Sequence, residues 1–462
     1  QATDDLKTLL GYRIKACVAG SEQIKKALAR YYPEDAGDSI TALISEIGDD
    51  EDLSRFVGRG ESIDLDDLKD MVESTPVKKL LNLVLLQAIR DKASDIHFEP
   101  FEDEFKLRYR IDGVLYEMVP PPRHIAMAIA SRIKVMANLD IAERRVPQDG
   151  RIELTVSGNP VDLRVAVLPT MFGESVVMRI LDRANVALDL DRIGLRDDEL
   201  GVLRELIRKP NGIILNTGPT GCGKTTTLYA ALSALNSIDV KILTSEDPVE
   251  YDIDGLIQCQ INTDVGLTFA RCLRSFLRQD PDIILVGEIR DLETAQISVQ
   301  ASLTGHLVFS TLHTNDAPSA IARLLDLGME PFLITATLEA VVGQRLVRRI
   351  CTSCKEQFEP TEEMLMELEL TREDTRGRQF FYGRGCDYCN STGYKGRLGL
   401  FEFMVLDDPL RELIMKHAST NVLRAQARKK GMRTLRETGL MAIYEGTTSI
   451  EEVVKETIVE ET

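Results

Sequence analysis

The chain has no tryptophan, and aromatic residues make up only 5% of its 462 residues. Proteins that bind single-stranded nucleic acid stack bases on aromatic side chains, so the composition disfavours that class of protein. Basic residues are also in deficit, 56 against 74 acidic residues, which gives a net charge of −18. This charge opposes non-specific binding to nucleic acid or to an anionic membrane, because both attract lysine and arginine. We therefore expect no nucleic-acid partner.

Long apolar runs are missing as well. No apolar stretch reaches the roughly 18 residues that a membrane-spanning helix needs, and the first residues lack the basic and apolar regions of a signal peptide. We therefore expect a cytoplasmic protein, and the absence of an initiator methionine predicts a piece of a longer chain. In such a protein the eight cysteines indicate metal ligands or buried thiols rather than a disulfide framework.

The order of apolar patterns predicts several domains, about three at ~150 residues each. A capped helix from Thr75 and strands around an Asp112-Gly113 turn indicate a small α/β domain. Strands and helices then alternate, as in a parallel sheet covered on both faces. The predicted segments are an α/β fragment at 1–33, an acidic linker at 34–66, the small α/β domain at 67–183, a hinge at 184–193, the parallel-sheet domain at 194–348, a cysteine-containing segment at 349–397 and a helical region at 398–462.

The most specific motif is a phosphate-binding loop. Residues 218–225 fit the pattern G-x-x-x-x-G-K-[ST] without a mismatch, between an apolar strand and a helix. Glycines let backbone N–H groups close around phosphate oxygens, and the helix N-terminus adds partial positive charge. Lys224 is expected on the β- and γ-phosphates, and the Thr225 hydroxyl on Mg²⁺. The predicted nucleotide-binding residues are Gly218, Pro219, Thr220, Gly221, Cys222, Gly223, Lys224, Thr225 and Thr226.

Two acidic strand ends follow the loop. The apolar strand at 282–287 leads to Glu288, a carboxylate that can hold the Mg²⁺ shell or polarise the attacking water. Many apolar strands end in a glutamate without function, but the position after a phosphate loop favours a role for Glu288. The segment 245–250 ends another strand and contains Glu246 and Glu250. Its alternative interpretation is a solvated acidic turn.

Histidines flank the strand at 307–312. A histidine at a strand end can sense the γ-phosphate or brace the catalytic glutamate, which makes His306 and His313 catalytic candidates. A purely structural histidine is an alternative for either one.

Four of the eight cysteines form two C-x-x-C pairs. Each pair can place two thiolates on one tetrahedral ion, and the intervening segment can bring the pairs together. The hypothesis is a structural zinc site, with redox or incidental pairing as alternatives. The expected ligands are Cys351, Cys354, Cys386 and Cys389.

Arginines recur in two places. Guanidinium groups from another domain or subunit stabilise the charge that develops on a transferred phosphoryl group. Any single arginine can equally be an ordinary surface residue, but the set suggests a shared site. The candidates are Arg271, Arg274 and Arg278 before the Glu288 strand and Arg151, Arg164 and Arg179 in the small α/β domain.

Together these segments resemble the secretion-superfamily ATPases of type II secretion and type IV pilus assembly. The resemblance covers residues 75–460, and its motifs lie at 93–100, 147–151, 218–225, 246–250, 278–282, 286–291 and 304–313 and at the four cysteines. It implies a RecA-like parallel-sheet P-loop domain, preceded by a small PAS-like α/β domain and followed by the zinc insertion and a helical region. It also implies a homo-hexameric, Mg²⁺-dependent ATP hydrolase that works with an inner-membrane platform protein and accessory assembly proteins.

The resemblance also implies roles for particular residues. Glu288 organises water and Mg²⁺, and Glu246 and Glu250 lie near the metal and the nucleotide. Arginines resembling Arg151 and Arg164 reach the phosphates when the small domain closes, and Arg274 and Arg278 act at the subunit boundary.

Within this family we expect a pilus extension motor at the inner membrane. Retraction motors usually lack the four cysteines, and residues 315–318 resemble the pilus extension members. Residues 296–303 resemble the type II secretion members equally well, so that pathway remains the alternative. A DNA-translocating RecA-like ATPase and a non-motor ATP-binding switch are the more distant alternatives.

Overall fold

The computed structural model describes residues 75–156, 159–182 and 188–457. The elements predicted for residues 1–66, and much of the predicted hinge at 184–193, lie outside these ranges. The chain divides into two compact units between Ala184 and Asn185. Among the described residues, no helix is both long enough and apolar enough to cross a membrane.

The first unit contains one antiparallel sheet of six strands in the order β3-β2-β1-β6-β5-β4. Its helix α1 places apolar residues at helical spacing, so that Val77, Leu80, Leu81 and Val84 are all buried in one core with the inner face of the sheet. The elements are α1 (Thr75–Arg90), β1 (Ala93–Pro100), β2 (Phe105–Ile111), β3 (Val114–Glu117), a 3₁₀ turn (Arg123–Ile125), α2 (Ala126–Met136), β4 (Gln148–Val156), β5 (Asn159–Thr170) and β6 (Gly173–Asp182).

The second unit is built on a seven-stranded sheet in the order β15-β12-β7-β11-β10-β8-β9. Six of its strands pair in parallel, and β15 pairs antiparallel with β12 at one edge. The elements up to β12 are a 3₁₀ turn (Leu190–Arg192), α3 (Asp197–Leu206), β7 (Gly212–Thr217), α4 (Lys224–Leu235), β8 (Ile242–Glu246), β9 (Leu256–Gln260), a 3₁₀ turn (Thr263–Val265), α5 (Phe269–Phe276), β10 (Ile283–Val286), α6 (Leu292–Leu303), β11 (Leu307–Leu312), α7 (Ala317–Asp326), α8 (Pro331–Thr337) and β12 (Leu338–Ile350).

The segment after β12 leaves the sheet and returns to it. A two-stranded sheet and the four cysteines lie between β12 and β15, and helices follow from Asp408. The helical region predicted from residue 398 therefore begins after a strand that belongs to the large sheet. The remaining elements are β13 (Lys355–Phe358), α9 (Glu362–Glu367), β14 (Phe380–Gly383), a 3₁₀ turn (Asp387–Cys389), β15 (Tyr394–Val405), α10 (Asp408–Met415), α11 (Thr420–Lys429), α12 (Leu435–Tyr444) and α13 (Ile450–Glu456).

A buried carboxylate joins β15 to two helices. Glu402 accepts hydrogen bonds from the backbone N–H groups of Ala317 (2.7 Å) and Leu435 (3.3 Å), the first residues of α7 and α12. Burial raises the pKa of Glu402 to about 7, even though these N–H groups favour its charged form. Because the pKa is higher in the folded than in the unfolded chain, Glu402 contributes stability at low pH that is lost as the pH rises toward 7.

We therefore expect Glu402→Gln to flatten the pH dependence of stability. Between pH 5 and pH 8 the wild type should lose about 2.5 kcal/mol of unfolding free energy relative to the variant. Denaturant unfolding at both pH values measures this difference. The control Glu412→Gln removes an exposed carboxylate of α10 and should follow the wild type. Parallel curves for wild type and Glu402→Gln would contradict the prediction.

Candidate active site

The phosphate-binding loop connects β7 to α4 at the carboxyl edge of the parallel strands. Gly218, Gly221 and Gly223 have φ values of 154°, 80° and 91°, which side-chain-bearing residues rarely adopt. A Cβ on Gly218 would also lie 2.5 Å from the backbone oxygen of Gln344, so only glycine fits there. Among the described residues no side chain caps α4 at Gly223. The first-turn N–H groups, including those of Thr225 and Thr226, are therefore available to an anion. These features fit a bound triphosphate.

Lys224 is buried inside this loop. Its Nζ donates to the carbonyl oxygens of Gly218 (2.7 Å) and Pro219 (3.0 Å). Burial lowers the pKa of Lys224, and the neighbouring Cys222 and Glu288 act in the opposite direction. The loop thus holds a partly desolvated ammonium group where phosphate oxygens would replace its carbonyl partners.

Glu288 and His313 meet at the same edge of the sheet. Strands β10 and β11 are parallel neighbours, and each residue follows the carboxyl end of its strand. His313 Nε2 lies 3.2 Å from Glu288 Oε2, and Arg290 forms an ion pair with the other carboxylate oxygen. Arg290 also lies 3.7 Å from Asp247. Lys224, Glu288 and His313 therefore bring a cation, a carboxylate and an imidazole to adjacent strand ends.

Glu246 is buried at the end of β8, and both of its oxygens are hydrogen-bonded. Thr244 Oγ1 (2.5 Å) and Gln258 Nε2 (3.2 Å) donate to one oxygen, and the Tyr229 hydroxyl donates to the other. Burial and the adjacent Glu246 charge raise the pKa of Tyr229. Glu250 follows in the next loop, where its backbone N–H donates to Tyr229 (3.4 Å). Glu246 thus fastens α4 to β8.

His306 does not join this group. It precedes β11 at the amino edge of the sheet, where its Nδ1 lies 2.7 Å from the Ala301 oxygen and 3.1 Å from Thr304 Oγ1. The six residues of β11 separate it from His313 by about 20 Å. The geometry gives His306 contacts that close the turn after α6, and sets it apart from Glu288.

Sequence reasoning missed two residues of β12 that contact the loop. Gln344 Oε1 accepts from Asn216 Nδ2 (2.9 Å) before the loop and from Thr227 Oγ1 (3.0 Å) after it. Arg345 is buried beside Gly218 and donates to the Asn315 oxygen (2.7 Å). The available signal was a Gln-Arg pair inside the apolar middle part of β12, between Val342 and Leu346. Arg290, two residues after Glu288, was missed as a partner of the Glu288 carboxylate.

The candidate arginines of the second unit lie on the surface and contact residues outside the phosphate-binding loop. Arg274 of α5 forms an ion pair with Glu293, and Arg278 Nη1 donates to the Arg274 oxygen (2.9 Å). Arg271 donates to the Gly266 oxygen (3.2 Å). All three side chains are exposed, so they can contact another molecule.

The arginines of the first unit come together on its sheet. Arg151 of β4 lies opposite Arg164 of β5, and Arg164 lies opposite Arg179 of β6. The strand register therefore brings together three of the six arginines for which a shared site was predicted.

The four cysteines converge, as their spacing predicts. Their sulfur atoms all lie within 4.8 Å of one another. Three of the separations are 3.9 Å for Cys351–Cys386, 3.8 Å for Cys354–Cys389 and 3.7 Å for Cys386–Cys389. A tetrahedral zinc ion with Zn–S bonds of about 2.3 Å requires sulfur separations of about 3.8 Å. The backbone N–H groups of Gly385 and Gly393 donate to Cys354 and Cys389, as supporting groups around metal-bound thiolates do. The donor set fits zinc.

Magnesium is expected at a different kind of site. Among the described residues, only the four cysteines bring three or more thiol, imidazole or carboxylate groups close enough to hold a metal by themselves. Mg²⁺ is commonly held by one or two protein oxygens together with substrate phosphates. Thr225 at the start of α4 and Glu288 fit that pattern.

The sequence matches the family described as type II/IV secretion system protein over residues 70–455. The chain belongs to this family. One relative of this secretion-system protein is the type IV pilus assembly ATPase PilB of Myxococcus xanthus. The two are 49% identical over 458 residues, which cover 99% of this chain and 80% of that one. It is 46% identical over 462 residues to the type II secretion system ATPase E of Vibrio cholerae, covering 99% and 90%.

Solved structures agree with the P-loop fold of this secretion-system protein. The Legionella pneumophila ATPase DotB superposes with a TM-score of 0.60 at 21% identity, covering 81% of this chain and 94% of that one. The pilus retraction motor PilT with bound ADP superposes with a TM-score of 0.55 at 26% identity, covering 81% and 96%. The predicted family resemblance and the predicted P-loop parallel-sheet fold are confirmed.

Proposed function

We propose that this protein is the ATP-hydrolysing motor of type IV pilus assembly, working as a homo-hexamer that drives pilus extension. The observation that carries the proposal is the meeting of Lys224, Glu288 and His313 at one edge of a P-loop sheet. The high identity to a pilus assembly ATPase over almost the whole chain supports the pathway.

The loop and β10 supply the chemistry of hydrolysis. Lys224 turns from the loop carbonyls to the β- and γ-phosphates, and the α4 N-terminus holds their oxygens. Thr225 and Glu288, with Glu250 as a further carboxylate, would hold Mg²⁺, which would supply positive charge to the phosphates. Glu288 orients the attacking water and accepts its proton. His313 and Arg290 fix the carboxylate in position, because each contacts one of its oxygens.

The motion comes from the first unit. Arg151 and Arg164 contact the phosphates when this unit closes over the nucleotide, and the segment 184–193 is the hinge. Only a difference between the contacts made with ATP and with ADP can drive such a change. Arg274 and Arg278 contribute to the site of the neighbouring subunit.

Assembly and location complete the proposal. The ring works at the inner membrane through a platform protein and accessory assembly proteins, without entering the membrane. Light scattering with and without a non-hydrolysable ATP analogue tests the ring, and a six-subunit mass in the presence of analogue is expected. A monomer under both conditions would argue against it.

Type II secretion is the second candidate, because type II secretion proteins are 45–50% identical to this chain. Affinity purification from native membranes separates the pathways. Pilins and a pilus platform protein are expected in the eluate. Recovery of pseudopilins and a secretion platform protein instead would favour the alternative.

Two further assays separate the more distant alternatives. Phosphate release from ATP by the purified protein is expected and distinguishes a hydrolase from an ATP-binding switch. Addition of duplex DNA should leave the rate unchanged, whereas stimulation by DNA would favour a translocase.

The cysteine cluster leads to a separate prediction. Elemental analysis should find about one zinc ion per chain, because four thiolates complete a tetrahedral site. Cys389→Ser should lose the metal and destabilise this segment, since structural zinc contributes on the order of 10 kcal/mol to folding. The control Cys259→Ser changes a cysteine outside the cluster and should keep its zinc. A folded wild type without zinc would refute the assignment.

A further inference from the structure

The outer face of the first sheet carries a row of charged side chains across five of its six strands. Each member is the direct cross-strand neighbour of the next. The preceding or following residue on each strand, such as Ile96 or Met178, points into the core instead. This charged row consists of Arg110 on β2, Asp95 on β1, Arg179 on β6, Arg164 on β5 and Arg151 on β4.

Three successive arginines within the charged row are unfavourable for the sheet itself. Like charges directly opposite one another on neighbouring strands destabilise a sheet. Arg179, Arg164 and Arg151 repeat that conflict across two strand pairs. The placement therefore indicates a use for concentrated positive charge, and an anion is the chemistry it fits.

Two aspartates hold the outer arginines of this group. Asp162 Oδ2 lies 2.6 Å from Arg151 Nη2. Asp95 Oδ1 lies 3.1 Å from Arg179 Nε, and its other oxygen lies 3.6 Å from Arg110 and accepts from Ser94 Oγ (2.7 Å). Each aspartate thus holds the guanidinium group of one of the two outer arginines, Arg151 or Arg179, on either side of Arg164.

The two partners in each pair differ in exposure. The Asp162 and Asp95 side chains are each 8% exposed, whereas those of Arg151 and Arg179 are 51% and 56% exposed. An ion pair of two exposed residues orients little, because both side chains move and water screens their charges. Here the carboxylates are fixed in the sheet, and the guanidinium groups are directed by them while remaining accessible.

We propose that Asp162 and Asp95 are positioning residues that hold Arg151 and Arg179 ready for the phosphates of ATP. The inference rests on the proposed function, in which Arg151 contacts the nucleotide, and it adds Arg179 to the phosphate-contacting arginines. Holding a donor in place before the reaction avoids the cost of reorganising it as charge develops.

A double-mutant cycle on Arg151 and Asp162 tests the proposal through steady-state ATP hydrolysis. Arg151→Ala should lower kcat by at least about 100-fold, as loss of a charge-stabilising donor does. Asp162→Asn keeps the shape but removes the charge, and should lower kcat about tenfold or more through misplacement of Arg151. The double variant should match Arg151→Ala alone, because Asp162 acts through that arginine.

A matched control comes from the same guanidinium. Glu153 is 74% exposed and lies 3.5 Å from Arg151 Nη2. Glu153→Gln should keep kcat within about twofold of wild type, because an exposed pair orients little. Thermal unfolding of every variant identifies losses of folding. If Asp162→Asn does not fold, the cycle of Asp95→Asn with Arg179→Ala, each measured in the same way, decides the question.

The possible outcomes distinguish failure of this inference from failure of the proposed function on which it rests. If Arg151→Ala keeps wild-type kcat, the proposed role of Arg151 fails and the inference fails with it. If Arg151→Ala is impaired while Asp162→Asn behaves like Glu153→Gln, the inference is overturned and the role of Arg151 stands. Additive losses in the double variant would likewise overturn it, since they indicate an effect independent of the arginine.

Discussion

Replacement of Lys224 by alanine is expected to abolish ATP binding at ordinary nucleotide concentrations. The ammonium group is buried in the loop and bonded to the Gly218 and Pro219 carbonyls, and in the complex it would be hydrogen-bonded to the phosphates. Loss of one such charged hydrogen bond costs about 3 kcal/mol, so the affinity should fall by at least about 100-fold. Titration with a fluorescent ATP analogue measures the affinity, and phosphate release measures the accompanying loss of turnover.

A control must show that Lys224→Ala still folds, because Lys224 also forms hydrogen bonds within the loop itself. Thermal unfolding of Lys224→Ala should stay close to that of the wild type, since glycines set the loop's backbone and β12 packs against it. Lys416→Ala, a change at an exposed lysine just after α10, should bind ATP normally. Near-wild-type affinity in Lys224→Ala would exclude this loop as the phosphate site.

The second large effect is expected from Glu288→Gln, which should bind ATP and fail to hydrolyse it. The amide has the size of the carboxylate and can still contact His313, but it neither accepts a proton nor balances the charge of Arg290. Loss of the group that accepts the proton from water should lower kcat by about 10³-fold, within the usual contribution of general-base catalysis. The ATP titration measures the affinity for ATP, and the phosphate-release assay measures the rate of hydrolysis.

A matched carboxylate change separates this effect from a general loss of charge. Glu205 is exposed on α3, and Glu205→Gln should hydrolyse ATP at the wild-type rate. Turnover by purified Glu288→Gln at the wild-type rate would contradict the role given to Glu288. Failure to bind ATP would instead assign Glu288 to nucleotide binding.

Sequence alone was sufficient to predict those parts of the candidate site whose chemistry lies in a few consecutive residues. The phosphate loop is local, because its glycine conformations and its lysine follow one another along the chain. The cysteine pairs are local as well, and only the approach of one pair to the other required the fold. Strand β10 could be predicted from its apolar run, and Glu288 from its position just beyond.

Contacts between strands distant in the chain could not be predicted in this way. Gln344 and Arg345 reach the loop because β12 is the neighbour of β7, and strand order is not written in local periodicity. The buried Glu246 carboxylate accepts hydrogen bonds from Tyr229 on α4 and Gln258 on β9, which belong to other elements. The separation of the two histidines, in contrast, could be predicted from the sequence, because the length of β11 places His306 and His313 at opposite edges of the sheet.

The pairing of β12 with β15 has a mechanical consequence. The cysteine segment leaves the sheet at Ile350 and re-enters at Tyr394, and the two strands are paired from there to Ala340 and Val405. A pull on the cysteine segment would therefore act along both strands at once, and the backbone hydrogen bonds between β12 and β7 would carry the load in shear. The same strand carries the two side chains that touch the phosphate loop. The cysteine segment and the phosphate-binding loop are thereby connected by a stiff strand rather than by a flexible loop.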